Sequence, residues 1–165
     1  MHLIKNILIL TILMVGGLSL AAAADSSQQP STTDSAVGSS LPPKLRALLI
    51  QEMLALSEAS KQIVDALVRG QDDVVAENAQ GMHDSFIMAQ EMSEEDEHAL
   101  HSALSHAFIE RDEAFHELSA QLADAARAGD RSKQRVLFAE ILDACVACHA
   151  AHATDRFPSL AAERR

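Results

Sequence analysis

The 165-residue chain contains no tryptophan, no tyrosine and only five phenylalanines. Its core therefore lacks the large flat side chains that bury the most apolar area per residue. Cysteine is equally sparse, with Cys145 and Cys148 the only two. A closed structural zinc site wants four ligands, and no second cysteine pair exists to complete one. A disulfide spanning two intervening residues on a helix would constrain almost nothing. No segment has the pattern of a β-strand, which removes the strand–helix alternation that a thioredoxin-like Cys-x-x-Cys needs. Basic residues are also few: 13 Lys and Arg stand against 24 Asp and Glu, a formal net charge of −11. That balance offers no basic patch to nucleic acid or anionic lipid.

What is present is concentrated in five residues. Cys145-Val146-Ala147-Cys148-His149 is the attachment signature of a c-type haem. The chemistry dictates the spacing, because two thiols add to the two vinyl groups of the porphyrin and the adjacent histidine turns under the ring to bind iron. On a helix, positions 145, 148 and 149 are related by i+3 and i+4 and leave one face together. One covalent haem c is the expected cofactor, with His149 as an axial metal ligand.

The N-terminus agrees with export. Lys5 precedes an apolar run over residues 6–20, and four alanines at 21–24 supply small residues for cleavage. Residues 1–24 are expected to be a signal peptide. The run is short for a membrane span and is interrupted by Gly16 and Gly17, so no membrane association is expected once it is cleaved. Because covalent haem attachment in bacteria takes place outside the cytoplasm, the expected compartment is the periplasm. Residues 25–41 are rich in Ser, Thr, Gln, Gly and Pro and are expected to form a flexible linker. Residues 42–158 make one domain by size, followed by a tail at 159–165.

Within that domain the apolar residues repeat at helical spacing. Pro42-Pro43 opens a first helix carrying Leu45, Leu49, Met53, Leu56, Ile63 and Leu67, and Gly70 closes it. A second helix places Val75, Ala79, Met82 and Phe86 on one face and is expected to run to about Met92. Ser93 with Glu94, Glu95 and Asp96 has the form of an N-cap with first-turn acids. His98 to Ser105 reads as a short helix or a bent approach to the third helix. That helix carries Phe108, Phe115, Leu118, Leu122 and Ala125 and ends at Gly129. Asp130 caps a fourth, in which Leu137, Ile141, Ala144, Cys145 and Cys148 share a face up to Pro158. Four stripes on short connections predict an all-α, antiparallel four-helix bundle. A buried porphyrin would supply the flat apolar body missing from its core, so the chain without haem is expected to fold poorly.

A haem motif near the C-terminus of such a bundle resembles the class II c-type cytochromes, the cytochrome c′ family. The likeness covers the domain in helix number and motif position, and residue by residue only the motif and part of the first helix. In the family, an Arg in the first helix is followed four residues later by the side chain facing the distal side of the haem. Leu45-Arg46-Ala47-Leu48-Leu49-Ile50 is similar, which implies Arg46 near a propionate and Ile50 over the iron. Ile50 cannot ligate, and a five-coordinate haem would then take a small gaseous ligand such as NO or CO. Alternatively Met53, one turn on, supplies the second metal ligand, as in family members that transfer electrons, and thioether ligation raises the reduction potential. A core methionine merely filling space is the plain alternative for Met53. Family members also carry an aromatic and then a basic residue at the third and fourth positions after the haem histidine. His152 and Ala153 stand there instead. Arg156, two turns beyond His149, would replace the missing cation if the helix reached it.

The resemblance and the charge together imply a periplasmic electron carrier, with gas binding as the alternative, and not an enzyme: nothing in the sequence places the distal His–Arg pair of a peroxidase. The mature chain would carry 12 basic against 24 acidic residues, a net of −12, so a redox partner should present a cationic surface. The family often forms homodimers through its first two helices, which admits a homodimer here. His98 and His101, with Asp96 or Glu97, suit a solvated polar face better than a surface metal site, since spacing fixes no third ligand. His83 and His116 flank the apolar stripes as distal bases, alternative ligands or, the reading best supported, half-buried histidines bonded to backbone carbonyls.

Overall fold

In the computed structural model, residues 36–85 and 92–164 are described. Every regular element among them is helical: α1 (Val37–Ser40), α2 (Pro43–Arg69), α3 (Asp72–Asp84), α4 (Glu94–Ala103), α5 (His106–Arg127), α6 (Arg131–His152) and a final 3₁₀ helix (Pro158–Arg164). No helix among them is long and apolar enough to cross a membrane. The expected signal peptide and most of the expected linker lie outside the described residues, as does Phe86.

Local chemistry sets most helix ends. Pro43 occupies the first position of α2, where its missing N–H costs nothing. Gly70 closes α2 in the left-handed region (φ 70°), and its N–H and that of Gln71 return to carbonyls of the last turn. Gly129 ends α5 in the same way (φ 69°). The Asp130 carboxylate then accepts from the Lys133 N–H at 3.0 Å to start α6. Ser93 and Asp96 form a reciprocal capping box on α4.

Three expectations are corrected. The second helix stops at Asp84 and does not run on to Met92, because Ser85 turns the chain at φ 60° and donates its hydroxyl to Glu52 at 3.3 Å. Of the two readings of the His98 segment, the short helix holds, as α4, which begins at its own cap. The end of the expected linker is part of the fold: Val37 and Leu41, four residues apart, are both buried against Leu45. Finally, α6 ends at His152 and Arg156 sits in the following turn, donating its N–H to the Ala153 carbonyl. Arg156 therefore does not lie on the haem-motif helix.

α2 packs on α3, α3 on α5 and α5 on α6, whereas α6 meets α2 only lightly. The α2–α3 and α5–α6 turns share one pole. Arg131 joins them, its guanidinium donating to Asp72 and to the Gly70 carbonyl at 2.9 Å. The buried apolar side chains form two clusters. The main one contains Ile63, Val75, Ala79, Met82, Phe115, Leu122, Leu137 and Ile141, all within about 18 Å of that pole at 1.5 Å of rise per residue. The second contains Val37, Leu41 and Leu45, packed by Leu48, Leu49, Met92, Leu100 and Phe108, and begins about 28 Å from it. α1 and α4 thus close the far end, and the helices run on through the interval between the clusters.

Candidate functional site

That interval holds the haem-motif residues. Counting along the helices from the shared pole, Cys145 stands at about 21 Å, Cys148 at about 26 Å and His149 at about 27 Å. On α2, Met53 stands at about 24 Å and Ile50 at about 28 Å. The residues expected to lie on the two sides of a haem are therefore at one height.

On α6, Leu142, Cys145, Val146 and His149 follow i, i+3, i+4 and i+7 spacing and make one apolar stripe. Its inner edge is half-buried, with Cys145 packed on the main cluster, while Leu142 and Val146 are exposed. The two cysteines are not bonded to each other. Burial pushes the Cys145 thiol up, and burial with the nearby Asp112 carboxylate pushes Cys148 up to about 11. Both are thus held protonated and unbridged. Desolvation lowers the pKa of His149, which keeps the imidazole neutral and its lone pair available to a metal. Phe157 stacks on that imidazole.

The distal candidates differ in direction. The inward row of α2 is Leu45, Glu52, Ile63 and Ala66. Met53 lies about 100° round the helix from that row, beside half-buried Leu49 and Leu56, whereas Ile50 lies about 160° round. Ile50 thus joins exposed Leu54, Val64 and Val68 on the outer face. Met53 is 38 % exposed and Ile50 43 %, so neither is the fully buried core side chain that apolar spacing suggests. Arg46 donates to the carbonyls of Gly38 (2.7 Å), Ser39 (2.8 Å) and Leu41 (3.0 Å). It ties α1 down at the far pole.

Glu52 is the residue that sequence patterning missed. It is 5 % exposed, stands at the height of Cys148, and takes the inward position beside Met53. A carboxylate at that register is indistinguishable by spacing from a solvated one, and only its core neighbours in Leu45 and Ile63 hinted at it. Its charge, with Asp112, bears on His116. The Asp112 carboxylate, 3.7 Å from the imidazole, raises the His116 pKa. The His116 ring donates to the Met82 carbonyl (2.8 Å) and the His83 ring to the His116 carbonyl (3.0 Å). Both histidines are thereby bonded to backbone, as the sequence favoured. His98 and His101 are exposed, and among the described residues no group of three or more His, Cys, Asp or Glu is arranged to hold a metal ion. His152 is buried edge-on to Phe108 with ring centroids 5.3 Å apart.

The donor set suits a covalent haem: two thiols, a neutral imidazole, a thioether at the same height, and apolar side chains flanking them that the chain itself leaves uncovered. No family model, curated protein or solved structure matches this chain.

Proposed function

We propose that the protein is a class II c-type cytochrome that carries single electrons in the periplasm, its four long helices closing as an antiparallel bundle around one covalent haem. The observation that carries this reading is the break in the core. Two apolar clusters stop short of one another at the height where Cys145, Cys148 and His149 share a face. A chain without tryptophan or tyrosine has little of its own with which to fill that interval.

In this reading Cys145 and Cys148 anchor the group through thioether bonds, His149 is one axial ligand and Met53 the other. The haem supplies a one-electron couple when bound. His149 presents a neutral imidazole because burial disfavours its charge, and Met53 offers a soft neutral donor that favours the reduced state. Met53 is preferred to Ile50 because it lies on the flank of α2 shared with Leu49 and Leu56. The surplus of acidic residues suits a partner with a cationic surface and an encounter that weakens with salt.

Absorption spectra of the reduced protein with and without CO test the reading. A low-spin spectrum unmoved by CO is expected, and Met53→Ala should convert it to a CO-sensitive form. A high-spin wild-type spectrum that CO shifts would replace the carrier with a gas-binding protein having Ile50 on the open side.

A further inference from the structure

The His149 imidazole has an aromatic neighbour that the haem motif does not supply. The Phe157 ring lies parallel to it, centroids 4.3 Å apart and planes 10° from coplanar. Helical spacing does not bring the two together, since α6 has already ended at His152. The chain turns back after Ala153, whose carbonyl accepts from the N–H groups of Arg156 (3.0 Å) and Phe157 (2.9 Å). Beyond the ring, Pro158 fixes the backbone, and the Leu160 N–H returns to the Phe157 carbonyl at 3.0 Å. The same turn is pinned to the N-terminal arm by the Ala36–Ala153 bridge and by the Ser39 hydroxyl, which donates to Asp155 at 2.6 Å. Phe157 is thus held from both sides by backbone, and the residue, 41 % exposed, keeps its ring on His149.

A histidine that ligates a metal is ordinarily oriented by an acceptor on its second ring nitrogen, which also raises its basicity. Among the described residues no carboxylate or carbonyl accepts from the His149 ring. His152, three residues after His149, packs edge-on to Phe108 instead.

We propose that Phe157 is the positioning residue for the axial histidine, fixing the plane of the His149 imidazole by stacking where a hydrogen bond would otherwise do so; this rests on the haem reading above. Two consequences follow. The imidazole plane is set by the turn after α6, not by α6 itself. The ligand also keeps the lower basicity of an imidazole whose second nitrogen has no carboxylate or carbonyl partner.

The test uses the full chain with Phe157→Leu, which keeps apolar bulk without a ring, and Phe157→Tyr, which keeps the ring. In the haem-free protein, proton NMR should find the His149 imidazole resonances, assigned with His149→Gln, displaced upfield by ring current in the wild type and in Phe157→Tyr, and undisplaced in Phe157→Leu. In the oxidised haem-loaded protein, electron paramagnetic resonance should give one sharp set of g values for the wild type and Phe157→Tyr, and a broadened or multiple set for Phe157→Leu. Identical g values and line widths in all three would overturn the proposal, as would undisplaced wild-type imidazole resonances in a haem-free chain that circular dichroism shows to keep its helices. A chain that shows the ring-current shift yet takes up no haem would overturn it differently, through failure of the haem reading and not of the stack.

Discussion

Replacing both thiols, Cys145→Ala/Cys148→Ala, removes the covalent attachment and leaves the rest of the chain intact, so its effect on stability measures what the haem covers. Met53, Leu142 and Val146 stand at or near the height of the motif, each still roughly two-fifths exposed. Burying such a side chain in full contributes about 1.5–3 kcal/mol, so covering the exposed part of the three contributes about 3 kcal/mol in all. For a folded region of this size, 1 kcal/mol moves the melting temperature by about 4 °C. The variant should therefore melt about 12 °C below the haem-loaded protein when both are followed by circular dichroism at 222 nm. The loss should be uneven. The main cluster, built around Ile63, Val75, Leu122 and Ile141, completes itself without help, whereas the smaller Val37–Leu41–Leu45 cluster depends on chain that crosses the uncovered interval. Hydrogen exchange should accordingly quicken in α1, α4 and the first half of α2 before it quickens in α3. A variant melting within 2 °C of the loaded protein would refute the reasoning, since nothing would then be covering those side chains.

Other perturbations probe the frame. Leu122→Ala, at a fully buried site in the main cluster, should cost about 3–4 kcal/mol in urea denaturation, against less than about 0.5 kcal/mol for Val68→Ser on the exposed outer face of α2. His116 is held at a raised pKa by Asp112, with the Met82 carbonyl and the Glu52 charge adding to it. Its contribution is thus complete below the unfolded histidine value and lost as pH rises through the folded one. His116→Gln should lower stability more below about pH 6 than above about pH 8, and an equal loss at both would show that the charge plays no part. Gly129→Ala meets open space but forces an L-residue to a φ of 69°, for about 1 kcal/mol of destabilisation. Gly70→Ala should exceed it, because the new Cβ would also sit 3.3 Å from the Arg131 guanidinium; equal costs would mean that Arg131 gives way freely.

Features set by neighbours in the chain were legible in the sequence. Gly70, Gly129, Asp130 and Ser93 act where their chemistry demands, and the Val75–Ala79–Met82 and Leu137–Ile141 stripes are buried as their spacing implies. What escaped depends on packing from elsewhere. Leu45–Glu52–Ile63 and Leu49–Met53–Leu56 are equally good helical rows, and only the position of the neighbouring helices decides that Glu52 turns inward and Met53 lies at the margin. Val37 and Leu41 looked like linker because their composition is local, while their burial comes from the start of α2 and from α4. Phe157 gave only its preference against helix before Pro158, and its contact with His149 depends on a reversal of the chain that periodicity does not record. For the candidate site, the spacing of Cys145, Cys148 and His149 implied one shared helix, and α6 carries all three. Its opposite wall on α2 was legible only as a choice between Ile50 and Met53.

The most direct measurement of the central claim is the mass of the full chain after expression with a haem-attachment apparatus, followed by its proteolytic map. The account predicts a protein heavier by one haem, with the whole increment on the peptide that contains Cys145, Cys148 and His149. Two unmodified thiols on that peptide, in a chain that has folded and been exported, would contradict it.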